Sequence, residues 1–219
     1  LPGGVLTRVA SSHIRIGTFE FFAVKKDIEA LRILAEHVIN RHYPTAANAA
    51  NPYLALLESV ISRIATLVSQ WQQVGFIHGV LNTDNMLLSG ETVDYGPCAF
   101  MDSFDPTKVY SAIDRGSRYA YQKQPEIAHW NLMVLAQSLL PLIDADQAQA
   151  VTLAKAALDQ FPSAFHAHHR QGMAAKLGLT TATQTDEQLV RELLELMQNE
   201  SLDYTLTFRH LSDPTSHKL

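Results

Sequence analysis

The sequence predicts a mainly α-helical protein with a few short strands. Apolar residues recur at helical spacing over long stretches, and Pro, Gly, Asp and Thr separate these stretches. Only the central part of the chain lacks this pattern. The chain has 219 residues, of which 47% are hydrophobic and 18% charged, so it can bury a substantial core. We therefore expect helices packed around an irregular, polar central segment.

The first three elements can be read in order. Residues 4–24 are rich in Val, Ile, Thr and Phe and contain Gly, which predicts strand and turn leading into a helix. Residues 27–42 have apolar side chains at helical spacing, and a proline ends that helix. Residues 51–75 form the clearest helix, because Asn51 suits its N-cap and Gly75 its C-terminal end.

The later elements follow a polar segment. Residues 76–104 are short apolar runs broken by Asn, Asp, Ser and Gly, which predicts loops with short strands. Beyond Pro125 the helical pattern returns, and the segment after residue 199 is predicted to be an irregular connection. The predicted helices in this part cover 125–143, 145–160, 163–177 and 185–199.

Charge and cysteine content limit the function classes. The net charge of −5, from 17 basic and 22 acidic residues, argues against a large nucleic-acid-binding surface. No apolar run approaches the roughly 20 residues of a membrane span, so we expect no membrane contact. The single cysteine cannot form an internal disulfide, which favours a cytoplasmic location. A mitochondrial location is the alternative if a targeting segment precedes the chain.

The central segment has the side chains of a metal–phosphate site. Asn85 follows His78 by seven residues, and Asp94 opens an Asp-Tyr-Gly sequence. In protein kinases an Asn and an Asp on adjacent loops hold the divalent metal that bridges the nucleotide phosphates. Such hard oxygen ligands suit Mg²⁺. This order of elements is typical of a protein-kinase-like catalytic centre.

One position departs from the kinase layout. Kinase-like phosphotransferases have a catalytic Asp within two residues of the His, whereas this chain has Val80 there. Asp84, directly before the predicted metal ligand, is a candidate to accept a proton from an incoming hydroxyl from another point on the loop. The alternative is purely structural, because Asp and Asn cluster in turns for local hydrogen bonding.

Two arginines near the start of the chain are candidate phosphate ligands. Arg8 and Arg15 lie on an apolar segment, where an arginine is costly unless it meets an anion. The planar guanidinium matches phosphate oxygens in geometry. The alternative is that one of them pairs with Glu20 or another carboxylate, and the residues alone do not decide between the two.

Five blocks of sequence carry a resemblance to a known family. The blocks are TRVASSHIRIGTFEFFA, GFIHGVLNTDNMLLSGETVDYGPCAFMD, RYAYQKQPEIAHWNLMVLAQSLLPLI, MAAKLGL and DYTLTFRHLS. They closely resemble the selenoprotein O (YdiU) family over almost the whole chain. Members of that family have a kinase fold, long counted as a pseudokinase fold, and bind ATP in a flipped orientation. They transfer AMP from ATP to Ser, Thr or Tyr hydroxyls of proteins.

The resemblance implies a role for each candidate residue. Asn85 and Asp94 would ligate Mg²⁺ or Mn²⁺, Asp84 would be the catalytic base, and Arg8 and Arg15 would hold the phosphates of ATP. Proteins with Ser, Thr or Tyr hydroxyls would be the partners. Two alternatives remain: a kinase-like phosphotransferase, against which the valine at position 80 argues, and a non-catalytic pseudokinase scaffold.

The resemblance also implies that the chain is a fragment. The family's phosphate-binding Lys and its partner Glu have no match upstream of the first arginine, and neither does its C-terminal redox-active Cys or selenocysteine. We therefore expect residues 1–24 to be the end of the small lobe with hinge strands. Residues 25–219 would be the helical large lobe, with the catalytic and metal loops at 76–105. Little or no activity is expected of this chain alone.

Overall fold

The structure is a computed structural model that describes residues 3–180 and 184–212, without the side chains of residues 184 and 185. A two-stranded antiparallel sheet pairs β1 (Phe76–Ile77) with β2 (Ala99–Phe100). Within the described ranges the predicted class, mainly α with short strands, is confirmed. The helices are α1 (Ile16–Val24), α2 (Ile28–His42), α3 (Pro52–Gln73), α4 (Gln124–Ile143), α5 (Gln147–Leu158), α6 (Gln160–Lys176), α7 (Gln184–Asn199) and α8 (Tyr204–Leu211), and short 3-10 turns lie at Pro44–Asn48, Thr83–Asn85 and Tyr121–Lys123.

Helices α2 to α7 lie within a few residues of their predicted bounds, but the start of the chain differs. The strands expected in residues 4–24 are absent from that segment, apart from an isolated bridge between Arg15 and Leu87. Its second half is α1 instead. Ile16 and Phe19, one helical turn apart, are both 0% exposed, and α1 packs on α4. Burial of this face outweighs the strand propensity of the local sequence.

The second difference is α8, which occupies a segment predicted to be irregular. Asp203 caps this helix, because its Oδ1 accepts a hydrogen bond from the backbone N–H of Leu206 at 2.7 Å. Tyr204, Thr207 and Phe208 are buried and share one helical face. A two-turn helix contains too few periodic positions to stand out from the sequence, and its packing decides its conformation.

The central helix of the core is α3, which contacts α4, α5 and α6. Its N-terminus is anchored twice by Asn51, whose Oδ1 accepts from the N–H of Leu54 at 3.1 Å and whose Nδ2 donates to the carbonyl of Ile143 at 2.9 Å. This confirms the predicted cap. The buried apolar residues of α3 include Leu56, Leu57, Val60, Ile61, Ile64, Ala65 and Val68.

Among the described helices, α3 is also the one long and apolar enough to cross a membrane by length and composition. Core helices of globular domains pass the same test. Here α3 packs against three other helices and most of its buried residues are apolar, which accounts for its composition.

A polar side chain of α4 holds β1 in place. Gln124 is 1% exposed. Its Oε1 accepts from the N–H of His78 at 2.9 Å, and its Nε2 donates to the carbonyl of Phe76 at 2.9 Å. One side chain thus satisfies two buried backbone groups, one in β1 and one in the residue directly after it, where the chain enters the candidate site.

Replacing Gln124 with Leu should destabilise the fold. Both backbone groups would lose their partner in a buried environment, at a cost of about 1–3 kcal/mol each. Urea denaturation measures the loss of unfolding free energy. Gln137→Leu is the matched control, since Gln137 lies exposed on the same helix. Equal unfolding free energies for the two variants would contradict the role given to Gln124.

Candidate functional site

The start of α1 lies directly against the central loop. The N–H of Ile16 donates to the carbonyl of Met86 at 3.0 Å, and the N–H of Leu88 donates to the carbonyl of Ile14 at 3.0 Å. These two bonds pair the backbone around Arg15 with the residues that follow the predicted metal ligand Asn85. The arginine segment and the loop are therefore neighbours, although the sequence separates them widely.

Both predicted phosphate-binding arginines meet the predicted metal ligand Asp94. Nη2 of Arg15 lies 2.7 Å from Oδ2 of Asp94, and Nη1 of Arg8 pairs with Oδ1. The sequence left open whether these arginines bind phosphate or pair with a carboxylate such as Glu20. In the structure both pair with a carboxylate, but it is that of Asp94. Glu20 instead accepts a hydrogen bond from the hydroxyl of Thr83 at 2.8 Å. Two guanidinium groups on one carboxylate leave an excess positive charge at this point.

The backbone of Asp94 has an unusual conformation. Its φ is +56°, in the left-handed region that Asp tolerates better than most residues. Its carbonyl accepts from the N–H of Gly96 at 2.8 Å, which closes a tight turn. The side chain is 20% exposed, so the carboxylate remains accessible beside its two arginine partners.

A carboxylate that the sequence analysis missed ties the arginine segment to the loop. Both carboxylate oxygens of Glu91 accept from the N–H of Ser11, at 3.1 and 3.2 Å, and one also accepts from the Ser11 hydroxyl at 3.1 Å. The hydroxyl of Ser89 donates to Glu91 at 2.7 Å, and this bond is the main cause that lowers the pKa of Glu91. Nothing in the local sequence pairs Glu91 with Ser11.

His78 connects the two loops of the site. It is 0% exposed, and its Nε2 lies 2.8 Å from the carbonyl of Val93. The N–H of Val80 points to its Nδ1 at 3.4 Å. These partners assign the tautomer with the proton on Nε2. Burial lowers the pKa of His78, which keeps the ring neutral as this pairing requires.

Asn85 is oriented by its own loop. Its Nδ2 donates to the carbonyl of Val80 at 2.8 Å, which directs the amide oxygen Oδ1 away from that carbonyl. Because Val80 bonds His78 and His78 bonds Val93, a continuous set of hydrogen bonds links Asn85 to the residue before Asp94. Valine at position 80 acts here through its backbone.

Asp84 lies exposed on the 3-10 turn. Its N–H donates to Oδ1 of Asn82 at 3.1 Å. The side chain of Asn82 therefore makes the kind of local turn hydrogen bond that was the structural alternative to a catalytic role for this loop. The carboxylate of Asp84 lies over the first turn of α1. A Cβ atom placed on Gly17 would be 2.1 Å from Oδ1 of Asp84. The start of α1 therefore borders both Asp84 and, through Arg15, Asp94.

The donor set fits a hard divalent cation. An amide oxygen from Asn85 and a carboxylate from Asp94 are ligands of the kind that Mg²⁺ takes, and Mg²⁺ keeps several waters when it binds beside phosphates. In residues 3–180 and 184–212 no cluster of three or more His, Cys, Asp or Glu residues could hold a metal. A site completed by water and substrate phosphates does not require such a cluster.

The neutral state of His78 predicts a pH effect on stability. Its folded-state pKa is lowered from the ordinary 6.5 by burial. The unfolded chain therefore takes up the proton first, and the unfolding free energy should fall as the pH drops below about 6.5 and be level above it. Denaturant unfolding from pH 5 to pH 7.5 measures this slope.

His78→Gln should flatten that slope while lowering stability at neutral pH. The slope that remains would come from groups such as His42 and His169, whose pKa values burial also lowers. An unchanged slope in the variant would contradict the assignment to His78.

The chain is similar to known proteins over almost its whole length. A family model described as "Protein adenylyltransferase SelO" matches residues 2–219. A protein named "Protein nucleotidyltransferase YdiU" from Agrobacterium fabrum is 57% identical over 212 residues, which cover 97% of this chain and 44% of that protein. Proteins of the same name from Rhodopseudomonas palustris and Methylorubrum extorquens are 58% and 57% identical, again over 97% of this chain and 43% of theirs. The chain thus spans a little under half the length of these relatives.

Proposed function

The chain belongs to the protein adenylyltransferase SelO family, and we propose that it is the nucleotide-handling part of an enzyme that transfers AMP from ATP to proteins. The acceptors in this proposal are Ser, Thr or Tyr hydroxyls. The relatives that share 57% of its residues carry the name nucleotidyltransferase, which supports transfer of a nucleotide rather than of a phosphate.

The observation that carries the proposal is the convergence of Arg8 and Arg15 on Asp94. Two cationic groups around one carboxylate suit a ligand that brings both a cation and several anionic oxygens, as a metal–ATP complex does. Within the described residues, the buried Nε of Arg15 has no hydrogen-bond partner. This donor would be available to a phosphate oxygen.

Each residue has a distinct task in the proposed reaction. Asn85 and Asp94 would hold Mg²⁺ or Mn²⁺, and the bound metal would neutralise charge on the phosphates. Arg8 and Arg15 would bind the β- and γ-phosphates that leave as pyrophosphate, where negative charge develops. ATP is bound in the flipped orientation, so its α-phosphorus faces the acceptor hydroxyl.

Asp84 completes the chemistry. It accepts the proton of the protein hydroxyl, whose oxygen forms a bond to the α-phosphorus. The bond between the α-phosphorus and the bridging oxygen breaks, and pyrophosphate leaves with the electron pair. The exposed position of Asp84 on its turn is accessible to a protein substrate.

The proposal extends to the domain arrangement. Residues 25–219 would form a protein-kinase-like large lobe and residues 1–24 the end of a small lobe. Further phosphate ligands would come from the rest of the small lobe, so this chain alone would have little or no activity. The enzyme would act on cytoplasmic proteins, without nucleic acid or membrane partners.

Mass spectrometry of a modified protein substrate tests the proposal. Full-length enzyme containing this chain, incubated with ATP and Mg²⁺ or Mn²⁺, should give an AMP adduct on a Ser, Thr or Tyr residue. A phosphate adduct would instead support the kinase-like phosphotransferase. Unmodified substrate under all metal conditions, with the enzyme folded and its binding partners retained, would support the non-catalytic scaffold.

A further inference from the structure

Gly17 stands where a side chain would collide with the carboxylate of Asp84. A Cβ on Gly17 would lie 2.1 Å from Oδ1, 3.1 Å from Cγ and 3.5 Å from Cα of Asp84. The first two distances are too short for an unstrained contact, whereas the third is ordinary van der Waals contact. The volume that a methyl group would need is therefore filled by the carboxylate and not by the backbone of the loop.

The backbone does not require glycine at this position. Gly17 lies in the first turn of α1 and is not among the glycines with positive φ. Glycine inside a helix is less favourable than alanine by about 1 kcal/mol. The sequence therefore has a residue that weakens α1 at the point where α1 meets Asp84.

Two hydrogen bonds hold α1 against the loop that contains Asp84. The N–H of Ile16 donates to the carbonyl of Met86 at 3.0 Å, and Glu20 accepts from the hydroxyl of Thr83 at 2.8 Å. These bonds join α1 to the loop on both sides of Asp84. An added methyl group at position 17 would have to be accommodated by rotation of the Asp84 side chain.

We propose that Gly17 is a positioning residue: the bare first turn of α1 forms the surface against which the Asp84 carboxylate is held in its proton-accepting orientation. This inference rests on the role of Asp84 in the proposed function. Gly17 does not touch the substrate and acts only through the direction of that carboxylate.

The first test measures, in this chain itself, whether a substitution at Gly17 changes the stability of the fold or only the orientation of the Asp84 carboxylate. Gly17→Ala should leave the melting temperature unchanged or raise it, because alanine favours the helix. In the same variant the ¹³Cγ resonance of Asp84 should move. Gly116→Ala is the matched control, since a Cβ on Gly116 meets nothing within 4 Å, and it should leave that resonance in place. An unmoved resonance in Gly17→Ala, or a lowered melting temperature, would overturn the proposal.

The second test uses transfer kinetics of full-length enzyme. Gly17→Ala should lower kcat about 10- to 100-fold, the size of effect that a misplaced catalytic group produces, while KM for ATP stays within about twofold because the phosphate ligands are untouched. Equal kcat in the variant and the Gly116→Ala control would overturn the proposal, as would a rise in KM that accounts for the whole loss.

A double-mutant cycle distinguishes failure of this inference from failure of the proposed function. In an Asp84→Ala background, Gly17→Ala should cause no further loss, since the group that it displaces is gone. If Asp84→Ala alone leaves kcat intact, the base assignment in the proposed function is wrong. If Asp84→Ala lowers kcat and Gly17→Ala lowers it independently in both backgrounds, only the positioning role is wrong.

Discussion

An Asp94→Asn enzyme should lose nucleotide transfer almost completely, with kcat/KM lower by about 10³-fold or more. The substitution removes the one anionic oxygen donor of the proposed metal pair. It also removes the partner that holds both arginines, since Arg8 and Arg15 each pair with this carboxylate. Metal binding and phosphate binding should therefore weaken together. Initial rates with labelled ATP measure the loss of transfer.

Binding of Mn²⁺ to the full-length enzyme, followed by electron paramagnetic resonance with ATP present, provides a readout that does not depend on turnover. Asp94→Asn should abolish this binding. Asp102→Asn is the matched control, because Asp102 is exposed and lies eight residues further along the same segment. Full Mn²⁺ binding by the Asp94→Asn enzyme would show that the metal ligands lie elsewhere.

The second large effect is expected at Asp84. Asp84→Asn should lower kcat by about 10²- to 10⁴-fold, the range contributed by a general base. Binding of Mn²⁺ and ATP should persist, because Asn85, Asp94 and the arginines keep their contacts. Asp84 is exposed and its side chain is not part of the core, so the melting temperature should change little.

The pattern across the two variants is more informative than either alone. Loss of binding in Asp94→Asn, together with loss of turnover but retained binding in Asp84→Asn, would separate the metal site from the base. If the protein is a non-catalytic scaffold, Asp84→Asn should leave its binding to partner proteins unchanged, and the unmodified protein should already have no turnover. Retained transfer in the Asp84→Asn enzyme would exclude Asp84 as the proton acceptor and leave the metal assignment standing.

Most of the helices could be predicted because their signals are local. The cap at Asn51 and the apolar stripe of α3 lie within one stretch of chain, and the structure has the helix where they place it. The prediction was wrong about the strands before α1 and about the irregular segment that forms α8, for a shared reason. Both helices are short, and burial against distant parts of the chain decides their conformation: Ile16 and Phe19 are fully buried in α1, and Phe208 is buried in α8.

The candidate site likewise contains residues that the sequence singles out and residues that only the structure identifies. Residue type and spacing single out Asn85 and Asp94, since few side chains suit a hard metal beside phosphates. The roles given to them remain predictions. Glu91 escaped notice because a surface-type carboxylate has no distinguishing local pattern, and only its bonds to Ser11 mark it. Gly17 escaped notice because a glycine near a helix start is ordinary until its neighbour is known.

The sequence by itself determined the helical class, the longer helices and the set of residue types that could handle a metal and phosphates, because periodicity and capping act over a few residues. The tertiary structure alone decided which of these residues meet. Arg8 and Arg15 pair with Asp94, which lies 86 and 79 residues further along the sequence. Those pairings, and the contact of Gly17 with Asp84, depend on α1 packing against the central loop. Such long-range packing is set by the burial of whole helices, which no local pattern specifies.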